Sequence, residues 1–376
     1  MTEPRDSRRA PMYGPAPDRR WTIEVDGIEI AGYEWGSPAA DPLVLVHGAS
    51  DTHRTWARVA ATLADEFRVI TYDVRGHGRS GSPSGLGAYR LDRLAEDLYT
   101  VLDSVSPGRP VHLAGHGWGA MQGWEAVADP RAGTRIASFT ALSAPHLDHV
   151  GLWLHQLRHR TQRSVQRMQS RTVRRFATSQ RAGGGCASRP EVVAPHRHDT
   201  IGRADLGRHS AEPPAPTRRI ARRRPTAVAS ALDEARATLH SSPSLLRRVA
   251  YQPRVRAGLR RATRLSPRAD APIAPTWRAD LVAGLRIARA NLGHHLRHPR
   301  DQHTAVPVQL LLDAADPAAR PGMRAAVQER VDRLWCYTLP ADHWLPVTEP
   351  LLVGEAIANF VNDLRADSDP AFRTTH

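Results

Sequence analysis

Three places in the sequence hold residues that could do hydrolytic chemistry. Asp316 and His343 each follow a short apolar run, and the turn around Gly117 follows a third. A carboxylate can hold one ring N–H of an imidazole while the other ring nitrogen takes a proton from water or substrate. Such a pair usually serves a nucleophile raised on a tight turn. The tip of this turn, however, is Gly117, which has no side chain.

The segment from 111 to 124 has the pattern of a nucleophile elbow, a sharp turn between a buried strand and a helix. Small residues must flank the tip, because strand and helix pass too close there for Cβ atoms. Gly115, Gly119 and Gly123 meet this requirement. The sequence therefore predicts the backbone of an elbow without its nucleophile.

Buried apolar runs alternate with helical patterns on both sides of the elbow, and a hairpin around Asp26-Gly27 precedes them. This alternation predicts an α/β protein with a mostly parallel sheet, helices on both faces and an inserted, poorly specified cap. The predicted strands are 21–25, 28–35, 43–46, 69–72, 111–114, 136–142, 308–312 and 334–339. The predicted helices that flank them include 56–67, 91–102, 281–292 and 351–364.

The charge of the chain is concentrated in its middle third. All 52 basic residues among the 376 are Arg, and 26 of them lie in 151–270 beside only 7 acidic residues. The two cysteines are typical of a reduced compartment, so a cytoplasmic location is expected. No apolar run is long enough for a signal peptide or a membrane span. We expect no cofactor and no metal site.

Composition and periodicity predict five segments. Residues 1–20 are expected to be disordered, 21–152 to form the first part of the core, and 276–366 its second part. The segment 153–275 is expected to be an Arg-rich cap or a disordered insert, and 367–376 a tail.

Three explanations of the Arg-rich insert remain open. It could be a disordered basic lid, a surface for nucleic acid or acidic membranes, or a segment whose coding frame has drifted. A basic run without interleaved aromatic residues favours no specific nucleic-acid partner. The oligomeric state is not predicted.

Taken in order, these features resemble the α/β-hydrolase superfamily over 21–152 and about 276–366. The elbow His116-Gly117-Trp118 with Gln122-Gly123-Trp124 resembles its epoxide-hydrolase and haloalkane-dehalogenase branch, which places Asp at the tip. It is similar in particular to the actinobacterial epoxide-hydrolase-like domain that is often fused to a short-chain dehydrogenase. Asp73 and the segment 75–78 match structural turn residues of the superfamily.

The resemblance implies roles for individual residues. The turn His47-Gly48-Ala49 matches the oxyanion turn, in which the Ala49 N–H and the Trp118 N–H would face the developing charge. The family has Pro where this chain has Ser50. His343 matches the general base. Its carboxylate partner would be Asp316, with Asp313 as a residue that could instead cap the turn.

Substrate contacts are expected from Gly48, Trp118 and Tyr251. The Trp118 side chain could donate its indole N–H to a leaving group, or it could only pack the cap onto the core. Epoxide hydrolases use two cap Tyr hydroxyls to polarise the epoxide oxygen, and Tyr251 is the only Tyr between 151 and 301.

The resemblance therefore implies a hydrolase that acts on a small hydrophobic substrate, with classical activity impaired or absent because Gly117 occupies the nucleophile position. Two alternatives are a non-catalytic protein that binds a hydrophobic ligand in the same pocket, and a basic interaction protein that docks on polyanions.

Overall fold

The computed structural model describes residues 14–49, 51–159, 275–313, 321–339 and 343–368. Eight strands form one sheet in the order β1-β2-β4-β3-β5-β6-β7-β8. They are β1 (Arg19–Val25), β2 (Ile28–Trp35), β3 (Asp41–Val46), β4 (Phe67–Tyr72), β5 (Val111–His116), β6 (Ile136–Leu142), β7 (Val308–Asp313) and β8 (Leu334–Leu339).

Nine helices lie in the described part of the chain. They are α1 (Ala57–Leu63), α2 (Leu91–Val105), α3 (Trp118–Val127), α4 (Ala132–Arg135), α5 (147–159), α6 (Trp277–Arg297), α7 (Pro321–Gln328), α8 (Leu345–Thr348) and α9 (Pro350–Ser368). Two 3-10 turns, His53–Trp56 and Leu86–Tyr89, precede α1 and α2. None of these helices is long and apolar enough to cross a membrane.

Six strands, which are neighbours in the sheet order β4-β3-β5-β6-β7-β8, run parallel, and only the β1–β2 hairpin and its pairing with β4 are antiparallel. The hairpin turns at Asp26 and Gly27, which both have positive φ, as the Asp-Gly pair predicts. The predicted fold class, a mostly parallel sheet between helices, is confirmed.

Helices cover both faces of the sheet because alternate residues of the central strands are buried on opposite sides. Val44 and Val46 of β3 belong to the apolar core under α2 and α3. Leu43 and Leu45 of the same strand belong to the core under α1 and α9. Trp56 and Trp124 are fully buried, in keeping with their predicted packing role.

Several elements extend beyond their predicted bounds, as the helix expected over 281–292 does by running from Trp277 to Arg297, and two predictions were wrong. The helix expected over 56–67 ends at Leu63. Phe67 instead begins β4, because its ring is buried in the core and the backbone of β4 pairs with β3 from this residue onward. The expected disorder of 1–20 is contradicted from Gly14 onward. There the Pro15 carbonyl accepts the Trp35 indole N–H at 3.3 Å, and Asp18 accepts the Gly36 N–H at 2.9 Å.

The chain leaves the core after β6 and returns to it through α6, and both ends of this excursion meet on α3. A group of five residues, the neck cluster, makes this connection; four of them are buried and the fifth, Arg300, is exposed. Its members are Glu125, His146, Asp148, His295 and Arg300. The Arg300 guanidinium donates to both Glu125 oxygens at 2.9 and 2.7 Å and to Asp148 at 2.9 Å, while His295 Nδ1 lies 2.7 Å from the other Asp148 oxygen. The residues between 160 and 274, most of the predicted insert, lie outside the described residues.

Strand β3 and helix α3 approach each other closely at Gly119. A Cβ atom at this position would lie 2.2 Å from the Val46 carbonyl oxygen and 2.5 Å from that of His47. Both atoms belong to the backbone, so they cannot rotate away. Gly119 is therefore what lets the two elements pack.

Replacing Gly119 by Ala should push α3 away from β3 and lower the free energy of unfolding by about 3 kcal/mol. Urea denaturation would measure this. Gly133→Ala is the matched control, because a Cβ there meets no atom within 4 Å. Equal stability of the two variants would contradict the contact.

Candidate active site

The turn after β5 has the backbone of a nucleophile elbow. Gly117 adopts φ 54° and ψ −116°, a region that side-chain-bearing residues rarely enter. Its N–H donates to the Leu142 carbonyl at 3.0 Å, and its carbonyl accepts the Met121 N–H at 3.1 Å. The strained conformation is thus held from both sides, by β6 and by the first turn of α3.

The missing side chain of Gly117 would point at His343. A Cβ built on Gly117 lies 3.9 Å from both Cε1 and Nε2 of the His343 ring and 4.0 Å from the Gly48 Cα. These distances are ordinary van der Waals contacts. The structure therefore brings Gly48, Gly117 and His343, which lie far apart in the sequence, around one small space.

His116 connects the elbow to the loop that carries His343. Its Nε2–H donates to the His343 carbonyl at 2.7 Å, and the two rings lie 4.8 Å apart. Burial, together with the neighbouring His343, lowers the pKa of His116 to about 3, so its ring is neutral. His116 thus fixes the backbone of residue 343 from the strand below. The sequence motif gives no sign of this bond.

His47 fixes the turn after β3 in a similar way. Its Nε2 accepts the Val74 N–H at 2.9 Å, which leaves the proton on Nδ1 to donate to the Gly48 carbonyl at 2.8 Å. Burial lowers the pKa of His47. The ring therefore stays neutral and joins the Gly48 turn to the neighbouring loop after β4.

Asp73, which begins that loop, is a buried carboxylate with four hydrogen bonds. It accepts the Tyr33 hydroxyl, the Arg79 N–H, and the backbone and ring N–H groups of His53 at 2.8 to 3.0 Å. Burial opposes its ionisation, but the hydrogen bonds and charge of His53 hold its pKa at about 2. These contacts tie the loop after β4 to strand β2 and to the 3-10 turn that begins at His53, in keeping with the structural role predicted for Asp73.

Asp51 is a residue that the sequence analysis missed. It follows the Gly48-Ala49 turn by two residues, and its Oδ2 is buried without a hydrogen-bond partner among the described residues. Burial raises its pKa to about 7, with a hydrogen bond from Thr55 opposing the shift and the nearby Asp280 adding to it. An acidic residue ahead of a short helix suggests only a cap, so no sequence signal marks this carboxyl.

The only three potential metal ligands that the described residues bring together are in the neck cluster. Glu125, His146 and Asp148 offer ligand atoms within 4.8 Å of one another. Both carboxylates already bind the Arg300 guanidinium, which supplies the positive charge that a metal ion would bring. This group is better explained as a structural ion-pair network than as a metal centre.

The remaining predicted site residues fall into two groups. Ala49 lies half-buried in the turn after β3, and Trp118 lies half-buried at the start of α3, where it packs on the core. Asp316, Tyr251 and Ser50 lie outside the described residues, as does the Asp313 side chain. The roles assigned to all these residues stay predictions.

The arrangement lies where parallel α/β sheets generally place their sites. The loops after β3 and β5, two neighbouring strands, meet the loop after β8 at the carboxyl edge of the sheet. The His343 imidazole on one loop faces the tip of a strained turn on another, an arrangement that hydrolytic chemistry can use. The fold and the site together define a hydrolase-type architecture.

Comparison with known proteins gives the same result. A family model for the alpha/beta hydrolase fold matches residues 41–187. The probable oxidoreductase EphD of Mycobacterium tuberculosis is 30% identical over 358 residues, which cover 92% of this chain and 50% of that protein. Epoxide hydrolase A of the same organism is 36% identical over 136 residues, 35% of this chain and 40% of that protein.

Solved structures agree on the fold. An inhibitor complex of the Bacillus megaterium epoxide hydrolase superposes with a TM-score of 0.53 at 18% identity, over 91% of this chain and 100% of that one. The Vigna radiata epoxide hydrolase VrEH1 gives 0.53 at 16% identity, over 92% and 98%.

The chain is thus an α/β hydrolase by fold. It spans about half the length of the EphD proteins that it matches. Within the superfamily it resembles the epoxide-hydrolase-like branch, as the elbow residues predict.

Asp51→Asn should stabilise the protein above about pH 7 and have little effect near about pH 4. Between about pH 4 and about pH 7 the unfolded chain has lost the Asp51 proton while the folded chain retains it, so the wild type loses stability as the pH rises through this range. Removing the ionisable group removes this loss, which we expect to be at least about 1 kcal/mol at the upper end.

Thermal unfolding at a series of pH values would measure the effect, with the exposed Asp65→Asn as the control. A stability difference between Asp51→Asn and wild type that does not change with pH would contradict the raised pKa.

Proposed function

We propose that this chain is an epoxide-hydrolase-like protein that has lost the covalent half of the reaction and keeps the base half. The observation that carries the proposal is the direction of the missing Gly117 side chain, which points at His343 from 3.9 Å. An Asp at this position would place its carboxylate beside the base that serves it. The elbow conformation is thus preserved around a residue that cannot attack.

His343 remains placed to act without the nucleophile. Its Nε2 borders the space above Gly117, where a water molecule could take the place of a side chain. A base that removes a proton from such a water can direct hydroxide at an electrophilic carbon. Asp316 is proposed to hold the other ring nitrogen, and the N–H groups of Ala49 and Trp118 to bind developing negative charge.

The substrate proposed for this site is a small apolar epoxide or ester. Loss of the covalent nucleophile leaves only the catalysis that binding, the oxyanion donors and the base provide, which is typically several orders of magnitude below the complete enzyme. Slow turnover, or ligand binding without turnover, is therefore the expected behaviour of the natural sequence.

Gly117→Asp should raise epoxide hydrolysis by about 100-fold or more, because it supplies the nucleophile at a position already aimed at the base. It should also lower stability by about 1 to 3 kcal/mol, because Asp must adopt a positive φ there. Gly117→Ala carries a similar backbone strain without a nucleophile and is the matched control. A folded Gly117→Asp protein that is no faster than Gly117→Ala would refute the proposal.

His343→Ala should abolish both the slow turnover of the natural sequence and the gain made by Gly117→Asp. The reason is that either route needs a base to activate water. Initial rates on a terminal epoxide, with folding checked by circular dichroism, would measure this. Unchanged rates in both backgrounds would remove His343 from the reaction.

A further inference from the structure

Ser143, the residue that follows β6, has two features that packing of the fold does not explain. Its φ is 54°, in the left-handed region where a residue with a Cβ atom is strained. Asp26, the other such non-glycine residue in the described part of the chain, is explained by its hairpin turn. The Ser143 side chain is also buried, yet its Oγ bonds none of the described residues. Strained and unsatisfied groups of this kind concentrate at functional sites.

Ser143 is the neighbour of Gly117 across the sheet. His116 of β5 pairs with Leu142 of β6, and the next residues on the two strands are Gly117 and Ser143. Neighbouring strands lie about 4.8 Å apart, so these two residues leave the sheet side by side. Both have a φ of 54°. Ser143 thus lies at the carboxyl edge of the sheet, directly beside the tip of the elbow.

The backbone fixes Ser143 in this place from both sides. The Leu142 carbonyl accepts the Gly117 N–H at 3.0 Å, which joins the residue before Ser143 to the elbow. The Ser143 N–H donates to the Leu311 carbonyl of β7 at 2.9 Å. The turn is therefore held by main-chain bonds, and the hydroxyl has no part in holding it.

We propose that the Ser143 hydroxyl binds and orients the water molecule that His343 activates. This inference rests on the proposed function, because it concerns the same base and the same electrophilic substrate. A serine hydroxyl can accept a hydrogen bond from water, and no described residue competes for Oγ. Gly117 lies between the two groups, since a Cβ built on it is 3.9 Å from His343 Nε2.

A base needs a second group to orient the water from which it takes a proton. A water that donates one hydrogen to His343 Nε2 and the other to Ser143 Oγ keeps the lone pairs of its oxygen free to attack. A water bonded to His343 alone would rotate about that single hydrogen bond. Fixing the orientation of a reactant in this way lowers the entropic part of the barrier.

In the reaction of the natural chain, the water oxygen forms a bond to an epoxide carbon while one of its protons passes to His343 Nε2. The ring C–O bond breaks, and the resulting alkoxide takes a proton from the solvent. His343 then releases its proton to the solvent, so one epoxide and one water give one diol. Ser143 forms no covalent bond and acts only by positioning the water.

Ser143→Ala should lower activity without lowering stability. No residue loses a hydrogen-bond partner, so the unfolding midpoint Tm should stay the same or rise. With styrene oxide, kcat should fall at least about 10-fold while KM stays the same, in the natural chain and in Gly117→Asp. Ser143→Gly, which suits the positive φ, should show the same loss of kcat.

Ser138 provides the matched control on the same strand. Its hydroxyl is buried toward the amino end of β6 and lies 2.8 Å from His112 Nδ1. Ser138→Ala should therefore lower Tm, because it leaves the ring nitrogen without its partner, and it should leave kcat unchanged. The two serine variants thus have opposite expected effects on stability and activity.

The Gly117→Asp background isolates the water step. There the introduced carboxylate is expected to form an ester with the substrate, which water then hydrolyses with His343 as the base. Adding Ser143→Ala should leave formation of the ester intact and slow its hydrolysis at least about 10-fold. Intact-protein mass spectrometry should then show the covalent adduct accumulate, an effect that a merely structural change would not produce.

The outcomes separate this inference from the proposed function. If Gly117→Asp is active and the Ser143 variants neither lower kcat nor accumulate adduct, the role of Ser143 is overturned and the proposed function stands. A higher KM with unchanged kcat would also overturn it, because the hydroxyl would then contact the substrate and not the water. If neither the natural chain nor Gly117→Asp turns over epoxide, the proposed function fails and the role of Ser143 fails with it.

Discussion

The contact between α3 and β3 is the constraint on which the site depends. Gly119 lets the helix rest on the carbonyl groups at the end of β3, and any larger residue would separate them. Because β3 and β5 are neighbours in the sheet, this contact brings the turns that follow them to within van der Waals distance. The space between Gly48, Gly117 and His343 exists only while that contact holds.

Two buried, neutral histidines hold the turns after β3 and β5 in place through hydrogen bonds to the backbone. His47 and His116 each bind backbone groups of a different loop, and burial keeps both rings uncharged. A neutral imidazole suits this role because it can donate from one nitrogen and accept at the other. Much of the histidine content around the elbow is therefore structural, and His343 differs from these two residues by its place at the edge of the space.

The fold could be predicted from sequence because its signals are local. Apolar runs marked all eight strands, Asp26-Gly27 marked the hairpin, and the glycine spacing from 115 to 123 marked the elbow. The errors occurred where tertiary contacts decide the local structure. Phe67 continues a helical pattern in the sequence, but in the fold it pairs with β3 as the first residue of β4. Residues 14–18 are held by hydrogen bonds to the end of β2.

The site was less predictable for the same reason. Glycine spacing marked the turn, and the family resemblance pointed to His343, but neither could show that a side chain at Gly117 would face that ring. The His116 bond to the loop of His343 joins residues 227 positions apart, and no local pattern encodes it. The raised pKa of Asp51 arises from burial and from Asp280 on another element, which become neighbours only in the folded chain.

The neck cluster also bears on how the family can vary. The Thr140 hydroxyl of β6 donates to the Gln309 side-chain oxygen of β7, 169 positions along the chain, so two neighbouring strands of the sheet are joined by a long segment. The entropy of closing a loop grows only with the logarithm of its length, and doubling the length costs about 0.6 kcal/mol. With Arg300 joining both ends to α3, the segment between them can lengthen, shorten or diverge at little thermodynamic expense. The sequence between the two ends can therefore change among relatives while the contacts that join those ends to α3 stay the same.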